Sequence, residues 1–333
     1  MTKRAKRHAL IAAAGLAVGF VGLNFMAYKH AYAMMHFTNG GARTAQAEEL
    51  SVAQKLKVLI TGINVPRPVS NADKSQLGTQ AVSVRIPCDD GPTLGAWFCA
   101  GKDTNILIIM FHGYTGEKSS LLQPLQPARA FQEAGCSVML VDFRGSGESS
   151  ESYCTIGYKE SLDVAAAFRF ATKEFPHART VLFGQSMGAA ALLRAIAQYG
   201  VQPDAIIVEA VFDTMLHTVK NRFQLMHVPS FPSAELLVFW GGKQAGFDGF
   251  TLNPVRYATK VSCPALVMHG ENDPRAKIED GRAVFAALTG PKTFKEFPSA
   301  GHESYVSRYP AEWKTAVVGF LDTVEPRGSP SAR

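Results

Sequence analysis

Between Thr180 and Ala191 the chain reads TVLFGQSMGAAA, an apolar run of strand type (Val181, Leu182, Phe183) that breaks at Gly184-Gln185-Ser186-Met187-Gly188 and resumes as a small-residue helix. A strand that feeds directly into a helix must turn sharply. A serine at the apex then needs almost no side chain two places before or after it, so that its hydroxyl stands clear of the sheet and a base can approach. Gly184 and Gly188 supply that clearance. Alone, GxSxG would arise by chance in a chain of this length with a probability on the order of 0.1, so the strand before it and the helix after it carry the weight of the reading.

The surrounding sequence repeats the same unit. Val82 to Ile86 and Thr93 to Phe98 read as two strands joined through Asp89-Asp90-Gly91-Pro92, a hairpin signal. Ile106 to Phe111 is a continuous apolar strand, Leu121 to Ala134 a helix, Ser137 to Val141 a strand and Ile156 to Glu174 a helix with Leu162, Ala165, Ala166 and Phe170 on one face. Met187 to Tyr199 is a helix, Ala205 to Val208, Ala265 to Met268 and Thr293 to Phe297 are strands, and Ala276 to Ala287 a helix. Alternation of this kind predicts a mostly parallel sheet covered on both faces by helices, with a site at the carboxyl ends of the strands. Roughly fifty residues between Glu209 and Cys263 leave the rhythm, and so long an excursion predicts a helical cap, about 211–262. Phe212, Met215, Phe223, Leu225, Met226, Phe231, Leu236, Leu237, Phe239 and Trp240 make it apolar. Most of these belong in the cap's own core, with a few facing a pocket.

A serine hydroxyl is a poor nucleophile at neutral pH and needs a base within hydrogen-bond reach, itself oriented by a third group. Asp273, in HGENDP, follows the Ala265 to Met268 strand by a few residues, and His302, in Ser299-Ala300-Gly301-His302-Glu303, follows the Thr293 to Phe297 strand in the same way. Ser186, Asp273 and His302 thus fall, in that order, on loops at one edge of the sheet.

From about Val82 to Leu321 the chain resembles the serine α/β-hydrolases of the esterase and serine-aminopeptidase (S33) type. The resemblance rests on His112-Gly113-Tyr114-Thr115-Gly116, the glycine-punctuated stretch Asp142 to Ser149, the GQSMG elbow, HGENDP and AGH. It implies the α/β-hydrolase fold, and it assigns the oxyanion-hole donors to the backbone N–H groups of Tyr114 and Met187. Because some members carry the acid after the preceding strand, Glu209 and Asp213 compete with Asp273, and Glu271 lies close by. A single glycine follows His112, not the three-glycine run of many lipases, which argues against bulky tertiary-alcohol esters. His112 and His269 read as loop-shaping, and Asp142 to Ser149 as a tight turn without a catalytic role.

Ala9 to Tyr28 carries no charged residue and follows Lys3, Arg4, Lys6 and Arg7. That length can cross a bilayer as a helix, with the positive flank on the cytoplasmic side and the rest outside the cytoplasm. Residues 1–33 are therefore expected to be a signal-anchor, with cleavage near Ala31-Tyr32-Ala33 as the alternative. Residues 34–78 are expected to hold a linker (Met34 to Thr44) and an amphipathic helix built on Val52, Leu56, Leu59 and Ile60. Residues 79–325 form the hydrolase domain and 326–333 a tail. Four positives of the +6 formal charge lie in the basic flank, leaving +2 for the remainder, which speaks against nucleic acid. Cys88, Cys99, Cys136, Cys154 and Cys263 show no CxxC spacing and read as buried small residues. No metal or cofactor motif is present.

The expectation is a membrane-anchored serine hydrolase acting on a small-molecule acyl ester, without cofactor. Amide or peptide hydrolysis is the second reading, thioester hydrolysis or acyl transfer the third, and a binding module with a vestigial site the reading from another class.

Overall fold

The structure, a computed structural model, describes residues 3–45, 49–70, 72–102, 105–121, 127–176 and 178–324. Helix α1 (Lys3–Met35) contains the whole uncharged run and continues about two turns beyond it. The linker expected from Met34 to Thr44 begins inside α1, and from His36 the chain passes along the domain, held there by Phe37 N–H to the Ser152 carbonyl, Cys154 N–H to the Met35 carbonyl and the buried Phe37 ring. Helix α2 (Val52–Thr61) opens on a reciprocal cap, Ser51 Oγ accepting from the Gln54 amide while Gln54 Oε1 accepts from the Ser51 amide. The side chains of Leu56, Leu59 and Ile60, on which its expected apolar face rests, lie outside those described.

Next come β1 (Val82–Pro87), β2 (Thr93–Cys99), β3 (Ile106–Phe111), α3 (Pro127–Glu133), β4 (Ser137–Val141), α4 (Glu160–Glu174), β5 (Arg179–Gln185), α5 (Met187–Tyr199) and β6 (Ala205–Glu209). The excursion folds as α6 (Met215–Met226), α7 (Ser233–Ala245) and α8 (Pro254–Ala258). The last elements among the described residues are β7 (Ala265–Gly270), α9 (Ile278–Ala287), β8 (Lys292–Phe297), α10 (Tyr305–Arg308) and α11 (Pro310–Leu321). Two expected helices are shorter than read. Before α4, the Glu160 carboxylate accepts from the Thr155 and Gly157 amides, and Ile156 has φ +55°, so 155–159 is a turn rather than helix. Before α3, Lys118–Leu121 is a 3-10 turn and Pro127 starts the helix; the rest of the expected span, 122–126, lies outside the described residues, as does the tail 326–333.

Among the described residues eight strands form one sheet in the order β1-β2-β4-β3-β5-β6-β7-β8, antiparallel at β1–β2 and β2–β4 and parallel from β4 to β8. Every residue of β3 is buried, as an ILIIMF run requires when helices cover both faces. One core gathers α4, α5, α8 and α9 on one face, and a second places α3 and α11 on the other. Registers bring Phe111 level with Gly184, Gln185 with Glu209, and Gly270 with Phe297, so the loops after β3, β5, β6, β7 and β8 leave from one edge. Above that edge, Phe212, Met215, Val219, Phe223, Ala234 and Val238 of the excursion form a third core seated on Ala190 of α5.

Candidate active site

Ser186 joins β5 to α5 with φ +51° and ψ −109°, a backbone conformation that a serine adopts only under constraint, at a cost of about 1–3 kcal/mol. The constraint is steric and local. A Cβ on Gly184 would stand 2.6 Å from Leu192 Cδ2 and 2.7 Å from the Ala189 nitrogen, and one on Gly188 would stand 2.5 Å from the Phe111 carbonyl oxygen. From below, the Glu209 carbonyl accepts the Ser186 N–H at 2.8 Å. A serine at the start of a helix ordinarily uses its oxygen to cap it. Ser186 makes no side-chain cap bond, so its hydroxyl is left for other work.

The loop after β3 runs beside it. A Cβ on Gly113 would lie 3.6 Å from Ser186 Cβ, so Gly113 and Tyr114, the next residue, border the elbow. Buried His112 braces this loop: its Nε2 accepts the Phe143 N–H at 3.1 Å and its Nδ1 reaches the Gly113 carbonyl at 2.8 Å. An acceptor at Nε2 and a donor at Nδ1 define a neutral ring, and burial lowers the tendency of His112 to protonate. This is the loop-shaping role expected of it. Met187, the first residue of α5, is buried beside Cys154, with 3.4 Å between their sulfurs.

Asp273 and His302 meet across the loops after β7 and β8. His302 Nδ1 lies 2.6 Å from Asp273 Oδ2, and Asp273 Oδ1 accepts from the amides of Arg275 at 2.8 Å and Ala276 at 3.0 Å. The Asn272 N–H donates to the Ala300 carbonyl at 2.9 Å, which stitches the two loops together. Burial works to raise the Asp273 carboxyl, but the bond and charge of His302 and the two amides outweigh it and hold the group below the usual carboxylate range. With Nδ1 committed to Asp273, Nε2 is the ring atom available as a base.

Of the competing carboxylates, Glu209 and Asp213 are bonded elsewhere. Glu209 accepts from Gln185 Nε2 at 2.8 Å and Trp313 Nε1 at 2.5 Å; burial pushes it up to about 7 against those two bonds. Glu271 is exposed. Asp213 lies 2.9 Å from His217 Nδ1, one helical turn on, and Asp280 lies 3.1 Å from the same atom. Burial and the Asp213 charge push Asp280 up to about 6. Asp213, His217 and Asp280 each offer one ligand atom within 4.8 Å of the others, a metal-compatible grouping that no sequence motif signals.

Two further features escaped sequence reasoning. Asp142 is fully buried and accepts from the Lys118 amide, Lys118 Nζ and the Glu148 amide, tying the loop after β3 to the turn after β4. Its neighbour Arg144 pairs with buried Asp163 at 2.6 Å and with Asp90 at 2.7 Å. The stretch Asp142 to Ser149 thus positions the site. The second feature is α1, whose Met34 carbonyl accepts the Tyr114 hydroxyl at 2.5 Å. No spacing in the sequence links these residues.

Residues 102–228 match the family described as serine aminopeptidase, S33, over less than half of the chain. The chain is 24% identical over 245 residues to the uncharacterized protein YqkD of Bacillus subtilis (strain 168), covering 72% of this chain and 78% of that protein. It is 23% identical over 207 residues to the lysophosphatidylserine lipase ABHD12 of Macaca fascicularis, covering 58% of this chain and 48% of that protein, so it spans about half of that relative's length. Among solved structures, the Pyrococcus furiosus esterase Pf2001 superposes with a TM-score of 0.63 at 23% identity, over 77% of this chain and 96% of that one.

Proposed function

We propose, from the premise that this chain has the fold of the serine α/β-hydrolase superfamily, that it is a membrane-anchored hydrolase cleaving carboxylic esters through an acyl-enzyme. Ser186 Oγ attacks the ester carbonyl as His302 Nε2 takes its proton. The backbone N–H groups of Tyr114 and Met187 receive the developing oxyanion, for which each such donor is worth about 2.7–4 kcal/mol. His302 returns the proton to the departing alcohol, and water then releases the acid by the reverse sequence. Asp273 holds the imidazole in the productive tautomer throughout. The observation that carries this reading is the 2.6 Å Asp273–His302 bond on the sheet edge that also bears the strained, uncapped Ser186.

An apolar cap supports an acyl group rather than a highly charged substrate, and the relatives named as an esterase and a lysophosphatidylserine lipase lean the same way. The S33 description favours a second reading, aminoacyl amide hydrolysis by the same groups. Retention of α1 is supported by its packing: Ala31, at the alternative cleavage site, is buried, and the helix runs on to Met35. Charge at Lys3, Arg4, Lys6 and Arg7 supports a cytoplasmic N-terminus and an extracytoplasmic hydrolase domain.

The test is hydrolysis of p-nitrophenyl esters from acetate to palmitate beside aminoacyl p-nitroanilides. Ester turnover that exceeds anilide turnover and is lost in Ser186→Ala supports the esterase; anilide turnover in excess reverses the choice, and equal rates in both proteins remove Ser186 from the mechanism.

A further inference from the structure

Helix α1 does not leave the domain as a free tether. Trp240 Nε1 of α7 donates to Asn24 Oδ1 at 3.1 Å, Gln244 Nε2 donates to the Tyr28 carbonyl at 2.9 Å, and the Tyr28 and Trp240 rings meet edge to face at 5.4 Å. Gly241 faces Ala31 and Met35 of α1: a Cβ there would lie in ordinary van der Waals contact, 3.9 Å from Ala31 Cβ and from Met35 Sδ. Buried Ala27, Ala31 and Met35 complete the seam. On its other side, His30 Nε2 is 2.9 Å from the Val58 carbonyl of α2.

The depth of this seam matters. Asn24 lies inside the uncharged run, four residues and about 6 Å short of its end at Tyr28. If Ala9 to Tyr28 fills the hydrocarbon, a helix bonded at Asn24 is drawn to the level where acyl chains give way to headgroups. The side chains exposed there suit that level. Phe25 on α1 is 63% exposed and Phe239 on α7 is 40% exposed, with Tyr28 beside them. Lys29 lies over the Phe25 ring at 5.9 Å and Lys243 over the Phe239 ring at 5.7 Å. Exposed aromatic rings with lysine ammonium groups beside them are the composition of a membrane interface. Here that composition is shared between the anchor and the cap.

We infer that the cap docks on the phospholipid leaflet, with Phe239 and Trp240 of α7 completing the interfacial aromatic belt begun by Phe25 and Tyr28 of α1. The inference rests on the membrane-anchored reading above and deepens it. The anchor fixes the cap at the leaflet surface, so an ester entering beneath α6 and α7 comes from the lipid phase. The lysine heads of Lys29 and Lys243 meet headgroup phosphates.

Tryptophan fluorescence tests this in the full chain reconstituted into phosphatidylcholine vesicles, with and without lipid brominated at acyl positions 6 and 7. Of three tryptophans, Trp97 and Trp313 are 3% and 1% exposed, leaving Trp240 as the reporter at the seam. The expected result is bromine quenching in the native chain, its loss in Trp240→Phe, and a larger quenched share in Phe239→Trp, which leaves the Asn24 bond in place. Leu16→Trp, in the middle of the run, reads the anchor separately. Quenching at Leu16→Trp with none at Trp240 or Phe239→Trp overturns the docking and leaves the anchor standing, as when a second copy or another protein covers the belt. No quenching at any position, Leu16→Trp included, overturns the anchored reading and the docking with it.

Discussion

Nδ1 of His302 lies 2.6 Å from Oδ2 of Asp273, while Oδ1 of the same carboxylate is held by the amides of Arg275 and Ala276. Both oxygens are therefore spoken for, and the imidazole has one tautomer open to it. In Asp273→Asn the amide group can donate to Nδ1 and move the proton to Nε2, the wrong tautomer for a base. The expected outcome is a fall in kcat of about 10⁴-fold on p-nitrophenyl acetate. A loss below tenfold contradicts the role of Asp273. The stability cost should depend on pH in a defined direction. A carboxyl whose folded pKa is depressed contributes stability above its usual value near 3.8 and loses it as pH falls through the folded value. The deficit of Asp273→Asn against the native chain therefore narrows below pH 3.8.

Glu209 has the opposite sign. Its usual value of 4.5 is pushed up to about 7 by burial, so between these values the folded chain holds a proton that the unfolded chain has released. Stability then falls as pH rises from 4.5 to about 7, by up to about 3 kcal/mol, and is level above it. Asp280, pushed up to about 6, adds a contribution of the same sign, so the informative quantity is the difference between native and Glu209→Gln. Thermal midpoints at pH 5 and pH 8 should lie closer together in the variant. An unchanged gap contradicts a buried, protonated Glu209.

Gly188→Ala should damage the elbow. The added methyl would stand 2.5 Å from the Phe111 carbonyl and 2.8 Å from that of His112, both backbone atoms that cannot swing away. Overpacking of this kind costs about 1–3 kcal/mol. It also pushes α5 away from the loop that ends in Gly113 and Tyr114, so kcat should fall more steeply than stability alone explains. Near-native kcat with a lowered thermal midpoint would separate packing from catalysis and count against the elbow's role.

The sheet was readable because its signals are local. Ile106 to Phe111 and Ala265 to Met268 are buried on both faces and so are apolar without interruption, while the glycines around Ser186 mark a turn that other residues cannot make. The proposed acid was less readable. Asp213 follows the end of β6 by four residues and Asp273 follows the end of β7 by three, so spacing does not separate them. Their neighbours do: Asp213 is bound by His217 one turn later, and Asp273 by His302 across a loop contact that only the folded sheet creates. The pairing of Lys118 with Asp142 and the seam between α1 and α7 were invisible for the same reason. Each joins distant segments, and in sequence Trp240 and Asn24 are 216 residues apart.

The central claim is that Ser186 is an activated nucleophile, and covalent labelling tests it most directly. Native chain treated with a fluorophosphonate should carry the adduct on the tryptic segment Thr180 to Arg194, in which Ser186 is the only serine. The adduct should be absent in Ser186→Ala and strongly slowed in His302→Gln, because an unassisted hydroxyl does not react. Labelling at another serine, or equal labelling of the native chain and Ser186→Ala, contradicts the account.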